Sequence, residues 1–357
     1  MKLCHPSFHR LLNCLAVLCV LGGTAFAQGF ESTEHTYVPS PPEEPLTVAV
    51  GIFIDQITGV DQKSENYGAV ATLRLEWTDP QLALDVEEQD QAIKVMSPEA
   101  FMDLARGRNL VVPIFVVQNQ QSKRWIHQAV VVIRPDGFVR YFEKSSLTLQ
   151  APYFDFLKYP FDTQTFYYEI SSAYPSDYVR FVSMDDRSGL GNLLGEEEWI
   201  LHDARMLKTQ ITGLSGNQSD QVALQFKGSR HVTYYVIRVF LPMLVLITVS
   251  WALFFLDEYR KRIEIAGANL LTFVAFNWAI SADLPRLGYL TFLDFVLQWM
   301  FVVTGGVIIT NVMLRRLKAT GREELAHKLD TYIIKWIYPL GYAAIVAFAV
   351  MRFLVDF

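Results

Sequence analysis

The sequence predicts an all-β extracellular sandwich followed by an all-α domain of four transmembrane helices. Three observations carry that expectation. The chain is mixed and polar up to about Gly228 and dominated by apolar runs after Thr233. The polar part breaks into many short, alternating segments separated by Pro, Gly, Asn and Asp. The apolar part contains four runs, each near the ~20 residues a helix needs to cross a bilayer.

Before the sandwich comes a secretory signal peptide over 1–27. Lys2, His9 and Arg10 precede the apolar run Leu11–Leu21, and Ala25-Phe26-Ala27 is a small-x-small cleavage signal. Cys4, Cys14 and Cys19, all the cysteines of the 357 residues, lie within it. The mature chain is therefore expected to have no disulfide. Residues 28–45, with Ser40-Pro-Pro-Glu-Glu-Pro45, read as an extended lead-in.

Residues 46–230 read as the sandwich or a closely related barrel. Leu46–Ile54 opens a strand. Val70–Trp77 alternates, with Val70, Thr72, Arg74 and Glu76 on one face. Ala129–Ile133 and Val139–Phe142 flank Pro135-Asp136-Gly137, a strong hairpin signal. Thr165–Ile170, Val179–Val182, Trp199–Met206 and Val222–Phe226 add further strands, and Pro98–Ala105 reads as a helix.

Residues 231–357 read as the membrane domain, with helices at about 234–256, 263–282, 289–315 and 331–355. Arg260, Lys261 and Arg262 follow the first run; Arg315, Arg316, Lys318, Arg322 and Lys328 follow the third. The positive-inside rule makes these two loops cytoplasmic and both mature termini external. The signal peptide places the N-terminal domain outside independently. These basic clusters are explained by topology, and the net charge of −6 gives no reason to expect nucleic acid. No metal-ligand cluster, nucleophile motif or Gly-rich phosphate loop points to an enzyme. Glu196–Glu198 and Asp185-Asp186 fit no metal-binding loop, so neither a metal nor a cofactor is expected.

The second helix holds the sharpest candidate. Glu264 sits just inside its start, and steps of four, three, four and three lead to Ala268, Leu271, Ala275 and Trp278 on one stripe. A carboxylate at the edge of a membrane segment faces protein, a partner or water. Copies of this helix around an axis make a pore with a carboxylate ring; a single packed helix with a snorkelling Glu is the alternative.

An external sandwich followed by four membrane helices resembles the pentameric ligand-gated ion channels, most closely their bacterial members. Tyr159-Pro160-Phe161-Asp162 followed by Thr163-Gln164-Thr165 looks like the core of the family's signature loop, with no flanking cysteines. Arg230, Tyr234-Tyr235 and Leu241-Pro242 resemble the entry to its first helix, continued by Ser250-Trp251. Leu284-Pro285-Arg286 resembles the end of its second helix, and Arg315–Lys328 its short third-to-fourth loop.

The resemblance implies a homopentamer around a central pore, in a bacterial inner membrane with the sandwich on the periplasmic side. It implies that Asp61, Pro160, Phe161, Asp162, Arg230, Pro285 and Arg286 pass a signal from sandwich to pore. It places Leu271 at a mid-pore gate and Trp278 at a second, outer constriction. A Glu264 ring implies permeant monovalent cations, with Arg260 as its competitor. Anion selectivity, or a non-conducting sensor that recruits a protein, are the alternatives. Matching the motif spacing puts Thr72, Arg74, Arg140, Phe142, Ala173 and Tyr174 near the family's ligand site. A carboxylate, an amine and protons all remain open as agonist, and lipid is the surrounding partner.

Overall fold

The computed structural model describes residues 42–83, 93–192, 199–213, 216–281 and 287–355. The expected signal peptide, most of the lead-in, Glu196–Glu198 and Leu284-Pro285-Arg286 lie outside the described residues.

Eleven strands are found among the described residues. They are β1 (Leu46–Asp61), β2 (Asn66–Thr78), β3 (Lys94–Met96), β4 (Phe115–Val117), β5 (Trp125–Ile133), β6 (Phe138–Gln150), β7 (Thr163–Ser172), β8 (Val179–Ser183), β9 (Gly189–Leu190), β10 (Trp199–Thr212) and β11 (Gln218–Arg230). They form two sheets. One runs β3-β5-β6-β2-β1-β8, with β9 also on β1, and the other runs β10-β11-β7-β4. Helix α1 (Pro98–Gly107) starts at the Ser97 cap, whose hydroxyl accepts from Ala100 N. The sandwich fold class is the one expected. The short strands β3, β4 and β9 were not foreseen, because two or three residues carry too little alternation to read.

Alternation along β2 builds the core. Ala69, Ala71, Leu73, Leu75 and Trp77 are buried between the sheets, while Thr72, Arg74 and Glu76 lie on the other face. Across the gap Phe166 of β7 stacks on Phe226 of β11 at 5.3 Å, and Tyr67 meets Phe166 edge-on at 5.1 Å. Each such fully buried side chain contributes about 1.5–3 kcal/mol.

Four helices are long and apolar enough to cross a membrane: α2 (Val232–Phe255), α3 (Tyr259–Ser281), α4 (Phe292–Ala319) and α5 (Glu323–Leu354). In α2 the widened turn Val236–Phe240 precedes Pro242, which has no N–H to give the ladder. Helix α4 starts in a capping box between Thr291 and Asp294. In the most apolar stretch of each helix, α4 is 39% buried and α5 only 11%. Helix α4 is thus the hub of the bundle and α5 its edge.

The loop expected over Arg315–Lys328 is mostly helix. Helix α4 runs on to Ala319, Gly321 turns the chain at φ +78°, and α5 begins at Glu323. Charged residues on exposed turns do not end a helix; the left-handed glycine does.

The hairpin between β5 and β6 has a similar dependence. Gly137 adopts φ +81°, and a Cβ there would lie 2.5 Å from the Asp79 carbonyl oxygen. Gly137→Ala should cost about 1–3 kcal/mol. A lower thermal midpoint of the detergent-purified protein is the expected result; an unchanged one would contradict this account of the turn.

Candidate functional site

The sandwich meets the helix bundle around one buried arginine. Arg230 ends β11 and is 3% exposed as a residue. Its Nε donates to Asp162 Oδ1 at 2.8 Å and its Nη2 to Asp162 Oδ2 at 3.2 Å. This is a two-pronged pair, the strong form of guanidinium–carboxylate contact. Nη1 also donates to the Tyr235 hydroxyl on α2 at 3.1 Å, and Nη2 to Gln62 Oε1 at 3.1 Å. The guanidinium lies over Trp199 at 4.3 Å and Tyr159 at 4.7 Å. Burial pulls its pKa down, but the charge and hydrogen bonds of Asp162 outweigh this and leave it raised.

The loop carrying Asp162 is braced from within. The Gln164 side chain accepts from Asp155 N at 2.9 Å, donates to Asp155 O at 2.7 Å, and donates to Asp162. Pro160 is buried and follows a cis peptide. Phe161 projects to the bundle, stacking on Phe240 of α2 at 5.9 Å and meeting Phe292 of α4 edge-on at 5.6 Å. The Tyr289 hydroxyl accepts from Phe156 N, and Leu157 O accepts from Phe292 N. One loop thus touches α2, the α3–α4 connection and α4.

Asp61 does not take part in the Arg230 cluster. It accepts from Lys63 N, Ser64 N and Ser64 Oγ within its own turn. Those bonds, the Ser64 hydroxyl first, hold its pKa below the ordinary range. Its neighbour Gln62 makes the contact expected of Asp61. Pro285 and Arg286 lie outside the described residues.

On α3 a narrow buried face stands opposite a broad exposed one, which also takes in Ile265, Thr272 and Val274. Arg262, Ala266, Asn269 and Phe273 are buried against the bundle. Glu264, Ala268, Leu271, Ala275 and Trp278 are all exposed on the single chain, Leu271 at 69% and Trp278 at 80%. At 100° per residue the two sets are centred about 160–200° apart. Arg260 Nε donates to Glu264 Oε1 at 3.0 Å on the exposed side. Arg262 points the other way. Its Nε donates to Leu256 O at 2.6 Å, and Nη1 and Nη2 each reach an Asp330 oxygen of α5 at 2.9 Å. Asn311 of α4 is 3.5 Å from Nη1.

Four of the six expected ligand residues share one outward face. β2 and β6 pair Arg74 with Phe142, Thr72 with Lys144 and Glu76 with Arg140. Arg140 is already engaged, its Nε 2.5 Å from Glu76 Oε1. Arg74 differs: its Nε is buried and has no hydrogen-bond partner. It opens on a cavity of about 330 Å³ lined also by Phe53, Asp55, Thr72, Asp186, Arg187 and Ser188. Ala173 and Tyr174 follow β7 of the other sheet, where Tyr174 stacks on Tyr178 at 6.0 Å. They do not line this cavity.

The family model of the neurotransmitter-gated ion-channel ligand-binding domain matches residues 29–232. The chain belongs to this family, the pentameric ligand-gated ion channels. A proton-gated ion channel of Gloeobacter violaceus is 27% identical over 269 residues, 74% of this chain and 72% of that relative. The gamma-aminobutyric acid receptor subunit beta-4 of Gallus gallus is 23% identical over 268 residues. That match covers 72% of this chain and 52% of the subunit, so the chain spans about half the subunit's length.

In this ion channel, sequence reasoning missed Arg262, Asp330 and Asn311. Arg262 was absorbed into the basic cluster beside Arg260 and Lys261. Its signal was the same four-three-four stepping through Ala266, Asn269 and Phe273, offset by two residues from the exposed stripe.

Removing one half of the Arg230–Asp162 pair leaves a buried charge without compensation, at about 3–5 kcal/mol. Asp162→Asn should therefore sharply lower the yield of monodisperse protein in size-exclusion chromatography. Gln62→Leu removes one acceptor and leaves the pair, about 1–2 kcal/mol, and should remain purifiable. Equal yields from both variants would remove Arg230–Asp162 as the main fastening of the junction.

Proposed function

We propose that five copies of this chain form a cation-selective channel, lined by α3 and opened by an extracellular chemical signal. The two-faced α3 carries the reading. A helix that buries Asn269 and Phe273 inward leaves the Glu264–Trp278 stripe to face a partner or water, and Glu264 is too costly to face lipid. Five such stripes give a carboxylate ring, an apolar ring at Leu271 able to stop ions by dewetting, and an indole ring at Trp278. The Arg260–Glu264 contact is an exposed pair, a weak one, so the carboxylates keep most of their field. We place the channel in a bacterial inner membrane, with sandwich and C-terminus on the periplasmic side and lipid around α2, α4 and α5.

Recordings under diluted external sodium chloride test selectivity. The reversal potential should follow the cation gradient, and Glu264→Gln should weaken that preference. A reversal potential that follows chloride overturns the cation reading. In the same cells Leu271→Ala should open at a weaker stimulus; unchanged activation counts against that gate.

Protons are the input favoured by the Gloeobacter relative's name, proton-gated ion channel. Among the described carboxylates Glu169 of β7 supports it. Burial raises its pKa, although the Gln221 side chain of β11 bonds it and pulls the other way. A carboxyl with a raised pKa takes up its proton early in an acidification, and the state that holds it protonated gains as pH falls. Glu169→Gln mimics the protonated form and should shift the activation midpoint towards neutral pH; no shift removes Glu169 as the sensor.

A small carboxylate is the second reading, favoured by the unbonded Nε of Arg74. If acid steps give no current, a panel of small carboxylates should, and Arg74→Ala should abolish that response while sparing Leu271→Ala currents.

A further inference from the structure

We infer that the end of the bundle away from the sandwich binds a zwitterionic phospholipid, its phosphate at Lys335 of α5 and its primary ammonium at Asp257 in the α2–α3 turn. The inference needs the four helices to span a bilayer. It does not depend on what gates the channel or what it conducts. A cavity of about 290 Å³ opens at this end, between the α2–α3 turn, α3, α4 and α5. Along α5, Glu323, His327, Thr331 and Lys335 follow at steps of four, and all line it. The volume is near the lower end for small-ligand sites, ~300 Å³.

The charges on this wall balance, and they leave one of each sign over. Three carboxylates, Asp257, Glu323 and Asp330, face three permanent cations, Arg262, Lys318 and Lys335. Arg262 is bound to Asp330, and Lys318 Nζ is 2.7 Å from Glu323 Oε1. Asp257 and Lys335 make no ion pair among the described residues. Lys335 Nζ lies over the Phe255 ring at 4.7 Å. A wall that is neutral in sum, with one cation and one carboxylate left, is complementary to a ligand that carries one of each. His327 and Thr331 add hydrogen-bond donors on the Lys335 side, where a phosphate needs them.

Depth in the membrane orders the two charges. Trp251 Nε1 donates to Lys335 O at 2.9 Å, which sets the Lys335 backbone level with Trp251 of α2. Trp336 packs beside Trp251 and is exposed, and such indoles gather at headgroup level. The Lys335 ammonium reaches Phe255, the last residue of α2. Asp257 follows two residues later, beyond the helix and nearer the water. In a glycerophospholipid the phosphate adjoins the glycerol and the ammonium lies two carbons further out. The cation and the carboxylate of the cavity stand in that same order. The acyl chains have the exposed Trp336, Ile337 and Leu340 of α5 to run along. A trimethylated headgroup has no N–H to donate to Asp257, and an anionic headgroup brings that carboxylate no partner.

Native mass spectrometry of the purified full-length protein, equilibrated with equal amounts of phosphatidylethanolamine, phosphatidylcholine and phosphatidylglycerol, tests this. Wild type should retain the ethanolamine lipid over the other two. Asp257→Asn should remove that preference, a drop of about threefold, in the range of an exposed ion pair. It should leave phosphatidylcholine retention unchanged. Lys335→Met should lower all three lipids. Glu258→Gln is the control: Glu258 adjoins Asp257 but bonds Lys261 and does not line the cavity, so this variant should match wild type. Each variant keeps the Arg262–Asp330 pair and should elute as wild type does in size-exclusion chromatography. No ethanolamine preference in wild type, or an Asp257→Asn protein that keeps it, overturns the site. An equal loss in Glu258→Gln reduces the effect to general surface charge and overturns it too. Displacement of the lipid by water-soluble glycerophosphoethanolamine makes the cavity a site for a soluble ligand and overturns the lipid assignment. The readout needs no current, so failure of the gating or selectivity reading leaves this result standing.

Discussion

The buried guanidinium of Arg230 gathers more segments than any other described contact between sandwich and membrane domain, beside the separate contacts of Phe156, Leu157 and Phe161. An arginine that is 3% exposed must have its charge and its donors met on the spot. Asp162 meets the charge, Gln62 and Tyr235 meet further donors, and Trp199 and Tyr159 cover the faces. These partners come from the β1–β2 turn, the β6–β7 loop, β10 and α2. None of those segments can shift alone without exposing a fault at the centre. Such a pair adds little net stability over an apolar substitute, so what it contributes is register. A junction in register is what a signal between two domains needs, because a coupling element must have a small number of defined arrangements.

The same construction recurs at the opposite end of the bundle, near the start of α3. Arg262 gathers Leu256 O, Asp330 and Asn311, from the α2–α3 turn, α5 and α4. The bundle is therefore held at both ends by buried arginines and at its middle by neutral hydrogen bonds, Asn269 to Ser250 among them. Ionic clamps resist sliding strongly and give way abruptly; neutral bonds exchange partners at lower cost. A helix tied firmly at its inner end and more weakly at mid-length is built to pivot rather than to slide. That fits the proposed gate at Leu271, where a small change in tilt would widen or narrow a ring.

How legible this was depended on whether the signal was periodic. The sandwich, the four helices and the Glu264 stripe repeat at two or at about 3.6 residues, and they survive translation into structure. Contacts between distant segments have no period. Asp61 and Gln62 are adjacent in sequence, and only the fold decides that Ser64 captures the first and Arg230 the second. Arg74 and Arg140 look alike in their strands, yet the cross-strand register gives Arg140 a carboxylate, Glu76, and leaves Arg74 Nε without a bond. Arg262 was hidden by its neighbours, since three successive basic residues read as a solvated cluster whichever one turns inward. The extents of α4 and α5 were hidden for a related reason: charge suggests a loop, and the backbone turn at Gly321 sets the end of one and the start of the other.

The two faces of α3 differ in what the single chain completes. Burial on the Asn269 side satisfies the bundle and does nothing for Leu271 or Trp278, the second of which is 80% exposed. Lipid would accept both of these side chains but not Glu264 on the same stripe, and water would accept Glu264 but not a run of Leu and Trp. No single solvent suits the whole stripe. A narrow axis shared with other copies does, since it offers confined water at the carboxylate and apolar neighbours at the rings. The proposed assembly would make the stripe coherent. The outward Arg74 cavity is open in the same sense, because a site with one unbonded guanidinium nitrogen and polar walls on one side is completed by whatever approaches from the other.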